Sequence, residues 1–136
     1  STKALEVAKN NNEKNNTNVR FIESNLFENI QEQKFNIIAS NPPYIRSNVI
    51  NNLPKQVQNE PHLALDGGED GLKFYKKIIE QACNYIENGY LILEIGYDQK
   101  EDVENLLKEN KNYSEIKTIQ DFSGNDRCVI AKVGKI

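Results

Sequence analysis

The feature that most constrains the fold is a short apolar run that stops at two consecutive prolines. Residues 35–40, Phe-Asn-Ile-Ile-Ala-Ser, predict a strand buried on both faces, as is usual in a parallel sheet. Pro42 and Pro43 cannot donate to a strand ladder, so the strand should end by Asn41. The four residues Asn41–Tyr44, here called the tip, are therefore expected at the carboxyl end of a buried strand, where ligands bind in open α/β sheets.

Apolar patterns along the rest of the chain predict alternating helices and strands. A first helix, capped by Ser1 or Thr2, should end in the asparagine-rich run 10–16, because asparagine favours turns. Further strands are predicted at residues 19–24, 90–95, 114–121 and 127–133, and helices at residues 72–86, ended by Asn88-Gly89, and after a cap at Asp98. The alternation predicts an α/β fold with a mostly parallel sheet and a terminal antiparallel hairpin.

Residues 45–71 show no clear period and are punctuated by Pro54, Pro61 and three glycines. Loops of this length are uncommon in compact domains unless they are functional or disordered. Because the loop directly follows the tip, we expect it to act as a lid that grips the substrate.

Length and composition exclude several classes of protein. The 136 residues suffice for one domain with a core, and the net charge of −3 argues against a surface built for nucleic acid. No apolar run approaches the roughly 20 residues that a membrane span needs. Cys83 and Cys128 suggest neither a metal site nor a disulfide, which favours a cytoplasmic protein. The chain contains no methionine and begins inside a predicted helix, so we expect it to be part of a longer protein.

The tip has the chemistry of a site for a planar NH2 group. The carbonyls of Asn41 and Pro42 should lack strand partners, and the Asn41 side chain adds a carbonyl of its own. Converging acceptors suit an amide or an exocyclic base amine, and the Tyr44 ring offers a face for stacking. Such a site holds a poor nucleophile in place and disperses positive charge as its nitrogen is alkylated. The alternative is structural, in which the prolines only end a strand and Tyr44 packs on a helix.

Three segments carry a family resemblance. Asn41-Pro42-Pro43-Tyr44 resembles the motif shared by S-adenosylmethionine-dependent methyltransferases that act on adenine, guanine or glutamine amino groups. Residues 60–72, Glu-Pro-His-Leu-Ala-Leu-Asp-Gly-Gly-Glu-Asp-Gly-Leu, resemble a loop of the HemK-type protein-glutamine methyltransferases. Residues 121–127, Asp-Phe-Ser-Gly-Asn-Asp-Arg, resemble the release-factor branch of that family. The resemblance implies a Rossmann-like class I methyltransferase fold, with residues 1–136 forming part of one catalytic domain that lacks its first two strands.

The resemblance also implies an activity and the residues that perform it. The expected reaction is methylation of the glutamine side-chain nitrogen in the Gly-Gly-Gln loop of class I release factors, with S-adenosylmethionine as the methyl donor. The Asn41 side chain and the Pro42 carbonyl would be catalytic and would bind the glutamine NH2 group. Pro43 and Tyr44 would complete the substrate slot. No metal is implied.

The resemblance places the cofactor beside three residues. Asn25 and Leu26 match positions that contact the adenine, although an aspartate is commoner where Asn25 stands, and Asn41 would also lie beside the cofactor. The family's glycine-rich loop and its ribose-holding acidic residue have no counterpart in this sequence. We therefore expect the chain alone to bind S-adenosylmethionine weakly or not at all.

The two absent strands also affect the first part of the chain. In the family's strand order, the strand at 19–24 would be separated from the strand at 35–40 by two empty positions, roughly 14 Å at ~4.8 Å per step. An open gap would expose two strand edges. We therefore expect residues 1–34 to pack against the strand at 35–40, to swap between chains, or to be displaced.

Several alternatives remain open at this stage. The substrate could be a glutamine of a ribosomal protein, or an amino group of nucleic acid, which would require a basic groove. A third possibility is a chain that folds but performs no chemistry. The lone His62 is expected at the surface. Glu94, inside a predicted strand, is expected to hydrogen-bond the long loop or the tip. Asp126-Arg127 is expected to form an ion pair or a surface turn.

Overall fold

The computed structural model describes residues 1–134 and divides the chain into two compact units, Ser1–Gln33 and Lys34–Ile136, each described here by itself. The first unit contains the helix α1, Thr2–Lys14. The predicted cap is confirmed, because the Ala4 amide donates to Ser1 Oγ over 3.5 Å. The predicted end within residues 10–16 is confirmed as well, since the helix ends at Lys14 and Asn15 occupies the C-cap position.

The strand predicted at residues 19–24 is wrong, since this stretch has no regular structure. A strand needs a neighbour for its backbone hydrogen bonds, and α1 is the single regular element described in the first unit. Here the Val19 amide instead donates to Asn12 Oδ1 over 2.9 Å. The stretch leads into a turn in which Ser24 Oγ donates to the Leu26 carbonyl over 2.9 Å.

The second unit is built on a four-stranded sheet. Its strands are β1 (Phe35–Ser40), β2 (Ile86–Glu94), β3 (Tyr113–Gln120) and β4 (Asp126–Val133), in the order β1-β2-β4-β3. β1 and β2 are parallel, whereas β4 is antiparallel to both β2 and β3. The α/β class and the terminal hairpin are confirmed. The sheet is mixed rather than mostly parallel, because the hairpin inserts β4 between β2 and β3 and residues 19–24 add no strand.

The described part of the second unit also contains four α-helices and one 3-10 helix. The α-helices are α2 (Lys55–Gln58), α3 (His62–Leu65), α4 (Lys73–Ala82) and α5 (Lys100–Glu109), and the 3-10 helix is Ser47–Asn52. Of these, α5 packs against β3 and β4 of the sheet. Alternate residues of the central strands are buried, namely Leu91, Leu93, Val129 and Ala131. The core also contains the buried helix residues Ile78 and Ile79 of α4 and Val103 and Leu107 of α5. No helix among residues 1–134 combines the length and the apolar character that crossing a bilayer requires.

The strand that leads to the tip is not buried on both faces, as its sequence suggested. β1 is the edge strand of the described sheet and pairs with β2 alone. Ile37 is 57% exposed, and Ala39 on the same face is exposed as well. The apolar run correctly predicts that these residues form a strand. It does not determine whether both faces of that strand are covered, and here the side chains on one face remain exposed to solvent.

Two predicted helix boundaries are corrected by the structure. α4 ends at Ala82, and Asn88-Gly89 lies inside β2 instead of ending the helix. Gly89 is required by close packing, because a side chain there would collide with the backbone carbonyl of Asn36 in β1. Asp98 does not cap α5, since it pairs with Arg46 over 2.9 Å and leaves Gln99 at the N-cap position.

Candidate active site

The tip lies at the carboxyl end of β1, beside the end of β2. The register pairs Ser40 with Leu93, so Asn41 follows next to Glu94. Asn41 is exposed and Pro42 is buried. Within residues 1–134 neither the Asn41 side chain nor the Pro42 carbonyl takes part in a hydrogen bond, so both keep free acceptor capacity.

Two cavities meet at Asn41. The first, of about 360 Å³, lies on the uncovered face at the ends of β1, β2 and β4 and is lined by Ala39, Ser40, Asn41, Ile92, Glu94, Arg127 and Cys128. The second, of about 220 Å³, lies between the tip and the two short helices and is lined by Asn41, Pro42, Tyr44, Ile45, Val57, Glu60, Ala64 and Leu65. The Asn41 side chain can therefore contact ligand groups in both cavities.

The Tyr44 side chain is fixed by Glu94. The tyrosine hydroxyl donates to Glu94 Oε1 over 3.3 Å, so the expected contact between Glu94 and the tip is confirmed. Partial burial is the main cause that raises the pKa of Tyr44, and the Glu94 carboxylate raises it further. The hydroxyl therefore stays protonated and keeps donating across the neutral pH range.

The backbone after the tip forms a loop whose two ends pair with each other in an isolated bridge between Ile45 and Asp66. The Ile45 amide donates to the Leu65 carbonyl over 3.0 Å, and the Gly67 amide donates to the Ile45 carbonyl over 2.8 Å. Residues 45–71 were expected to lack regular structure, but three short helices occupy much of this segment. Its role as a lid stays a prediction.

Asp66 holds the two ends of this segment together. Its Oδ1 accepts from Ser47 Oγ over 2.6 Å and from the Gly68 amide over 2.9 Å. These hydrogen bonds, led by the one from Ser47, lower the pKa of Asp66. His62 is exposed, with Nδ1 3.8 Å from Asp66 Oδ2, which fits the expected surface position.

Sequence reasoning missed Gln99, which the structure places under the tip. Gln99 is 2% exposed, and its Nε2 donates to the Tyr44 carbonyl over 3.0 Å. Its Nε2 also lies 3.3 Å from the Gly71 carbonyl, and its Oε1 accepts from the Gly96 amide over 3.0 Å. The sequence offered one signal for Gln99, the spacing Gly96-x-x-Gln99 directly after a buried strand. This spacing indicates a turn, but it does not reveal that the Gln99 side chain binds the Tyr44 carbonyl.

The hairpin brings a guanidinium to the first cavity. Arg127 does not pair with its neighbour Asp126, since its Nη2 lies 3.4 Å from Asp121 Oδ2. Its Nη1 donates to the Ile95 carbonyl over 3.3 Å, which holds the start of β4 against the end of β2. The expected ion pair therefore exists with a different carboxylate, and it fixes the wall of the first cavity.

The residues predicted to bind the adenine lie in the first unit. Asn25 Nδ2 donates to Glu28 Oε1 over 2.6 Å, and Leu26 has a positive φ of 53°. Asn25 Oδ1 makes no hydrogen bond within the described part of the chain. No cluster of metal-binding side chains occurs among residues 1–134.

Comparisons with known proteins agree with this geometry. A family model described as "Methyltransferase small domain" matches residues 1–60. The release factor glutamine methyltransferase of Fusobacterium nucleatum is 46% identical over 118 residues, covering 85% of this chain and 33% of that protein. The ribosomal protein uL3 glutamine methyltransferase of Francisella tularensis is 45% identical over 102 residues, covering 73% of this chain and 32% of that protein.

A solved structure supports the fold. The crystal structure of a methyltransferase from Pyrococcus furiosus has a TM-score of 0.70 and 25% identity, and the match covers 99% of this chain and 60% of that one. The expected methyltransferase fold is thereby confirmed. The chain spans about a third of the length of the two curated relatives described above.

Proposed function

Because this chain is a homologue of protein-glutamine methyltransferases over most of its own length, we propose that the protein containing it methylates the side-chain nitrogen of a glutamine. The proposed substrate is the glutamine of the Gly-Gly-Gln loop of a class I release factor, and the proposed methyl donor is S-adenosylmethionine. We also propose that residues 1–136 form part of one catalytic domain of a cytoplasmic enzyme.

One observation carries the proposal. The Asn41 side chain and the Pro42 carbonyl stand at the end of β1 beside the Tyr44 ring, with no hydrogen bond to any residue in 1–134. Two free acceptors beside an aromatic ring match the two N–H donors and the flat shape of a primary amide. The structural alternative does not explain why both acceptors border a cavity.

The chemistry follows from how these acceptors hold the amide. An amide nitrogen is a poor nucleophile, so the tip must orient it rather than deprotonate it in advance. When the new N–C bond forms, the bond from the methyl group to the donor sulfur breaks, and one proton leaves the nitrogen for solvent. Positive charge grows on the NH2 group during this step. The acceptors on Asn41 and Pro42 stabilise that charge.

The residues at hand fit the proposed cofactor in part. Asn25 Oδ1 is free to accept from an adenine amine, Leu26 provides an apolar side chain, and Asn41 borders the cavity on the uncovered face. S-adenosylmethionine supplies an activated methyl group when it is bound. Asn25 and Leu26 of the first unit are the proposed contacts to its adenine, and Asn41 of the second unit is the proposed residue beside its methyl group.

The test uses the complete protein with methyl-labelled S-adenosylmethionine. The protein is offered a release factor, ribosomal protein uL3, duplex DNA and ribosomal RNA in separate reactions. We expect label on the release factor, and its loss when the Gly-Gly-Gln glutamine is changed to alanine. Label on nucleic acid alone would overturn the proposal.

A second candidate substrate is a glutamine of ribosomal protein uL3. The observation that favours this candidate is sequence identity. The ribosomal protein uL3 glutamine methyltransferase is 45% identical to this chain, and the release factor glutamine methyltransferase is 46% identical. The tip accounts for amide chemistry in both cases. Label on uL3 alone would keep the chemistry of Asn41 and Pro42 and replace the substrate.

A further inference from the structure

Gln99 connects three separate segments through one buried side chain. It contacts the tip through the Tyr44 carbonyl at 3.0 Å, the segment before α4 through the Gly71 carbonyl at 3.3 Å, and the end of β2 through the Gly96 amide at 3.0 Å. Both N–H donors and the carbonyl oxygen are therefore used. A primary amide suits this position because it offers two donors and one acceptor on one flat group.

The space around this side chain requires two glycines. A Cβ at Gly71, where φ is +74°, would lie 2.7 Å from Gln99 Nε2, and a Cβ at Gly96 would lie 2.8 Å from Gln99 Oε1. Real Cβ atoms do not approach polar atoms so closely, so a side chain at either position would displace the amide. The backbone of two loops is thus shaped around the Gln99 side chain.

The contact with Tyr44 determines which carbonyls of the tip remain available. Within residues 1–134, Gln99 is the one hydrogen-bond donor to the Tyr44 carbonyl. That bond points the Tyr44 carbonyl into the protein and fixes the peptide plane that follows Tyr44. The Pro42 carbonyl and the Asn41 side chain, which have no such donor, stay free for a ligand. Pro42 and Pro43 transmit the constraint because their φ angles are fixed by their rings.

We propose that Gln99 is a positioning residue that fixes the orientation of the tip, so that the acceptors of Asn41 and Pro42 converge on the substrate amide. The inference rests on the proposed function for the identity of that amide. The hydrogen bonds of Gln99 do not depend on the proposed function. The experiments therefore measure both the methyl transfer and these hydrogen bonds.

The main variant is Gln99→Met, which keeps the length of the side chain and removes every hydrogen bond. We expect kcat for methyl transfer to fall at least tenfold, since a shift of about 1 Å in a reacting group can cost 100-fold. The KM for the methyl donor should stay within about twofold. The matched control is Gln120→Met, because Gln120 is an exposed glutamine at the end of β3. It should leave kcat unchanged.

A second variant, Gln99→Glu, separates positioning from packing through its pH profile. A protonated glutamic acid can donate to the Tyr44 carbonyl and still accept from Gly96, whereas its carboxylate cannot donate. We expect kcat of this variant, relative to the unchanged protein, to rise as pH is lowered. Gln99→Met should show no such rise. A flat relative profile for Gln99→Glu would overturn the proposal, as would an unchanged kcat for a folded Gln99→Met.

Hydrogen exchange of the unchanged protein tests the same contact without catalysis. The side-chain N–H protons of Gln99 should exchange at least tenfold more slowly than those of Gln120, because two carbonyls accept them in a buried site. Equal exchange rates would overturn the proposal even if the variants failed to fold. Slow exchange with no methyl transfer to any substrate would uphold the contact and reject the proposed function.

Discussion

Tyr44 and Glu94 lie 50 positions apart in the chain, and the tyrosine hydroxyl donates to the Glu94 carboxylate over 3.3 Å. The contact joins the tip after β1 to the end of the neighbouring parallel strand β2. Below Glu94, the Tyr75 hydroxyl of α4 donates to the Glu94 carbonyl over 2.8 Å. Glu94 therefore links the ring of the tip, through its side chain and its backbone, to the helix that covers the opposite face.

Replacing Asn41 by alanine should abolish most activity without unfolding the protein. The side chain is exposed and makes no hydrogen bond within residues 1–134, so the free energy of unfolding should change by less than about 0.5 kcal/mol. Loss of an acceptor on developing charge should lower kcat by about 100-fold or more. Methyl-transfer kinetics and urea unfolding of the same sample check both values. A large loss of stability would show that Asn41 is structural.

Three tyrosines should resist ionisation at alkaline pH. Burial raises the pKa of Tyr44, Tyr75 and Tyr113 above 10.0, so folding is favoured below about pH 10 and loses stability as pH rises toward the folded pKa values. Absorbance at 295 nm should show Tyr75 and Tyr113 ionising only as the protein unfolds, and Tyr44 ionising later than a free tyrosine. Tyr113→Phe, which removes a hydroxyl bonded to the Ile79 carbonyl over 2.6 Å, should remove one late-ionising group. Early ionisation of all tyrosines would contradict this expectation.

The hydrogen bonds that Asp66 accepts from Ser47 and Gly68 should break in acid. Hydrogen bonds from Ser47 and Gly68 lower the pKa of Asp66 below 3.8, so its contribution is present above the unfolded value and lost as pH falls through the folded pKa. Protection of the Gly68 amide in hydrogen exchange should drop over that range. Asp66→Asn should show weak protection already at neutral pH, and Glu69→Gln, at an exposed neighbour, should behave like the unchanged protein.

Gly89→Ala should destabilise the sheet strongly. The added Cβ would collide with the Asn36 carbonyl, which pushes β1 away from β2 and costs about 1–3 kcal/mol by overpacking. Urea unfolding measures the change. Gly124→Ala is the matched control, because its Cβ would meet nothing within 4 Å and only the positive φ of 82° is strained. A smaller loss at Gly89 than at Gly124 would refute the packing argument.

The sequence predicted those strands, helices and turns that are determined by residues close together in the chain. Proline after residues 35–40 located the end of β1, and the apolar stripe of α4 located its core face. The terminal hairpin formed by the strands predicted at 114–121 and 127–133 was likewise visible in the sequence. The Asn-Pro-Pro-Tyr tip could be predicted as an amide site because its acceptors are adjacent in the chain.

Nonlocal pairing explains what the sequence did not reveal. Residues 19–24 have an apolar pattern suited to a strand, yet a strand forms only where a neighbour supplies hydrogen bonds. Gly89 was interpreted as the end of a helix because the residues around it give no sign of its close contact with Asn36, which lies 53 positions earlier in the chain. Gln99 was overlooked for the same reason, since its partner at Tyr44 lies 55 positions away.

The uncovered edge strand has a practical consequence for handling the protein. β1 contains neither a charge nor a proline, and its outer backbone groups face no further strand of the described sheet. Uncharged edges of this kind recruit strands from other molecules. Concentrated solutions of the chain should therefore self-associate, and a lysine at Ile37, which is 57% exposed, should improve solubility at little cost to the fold.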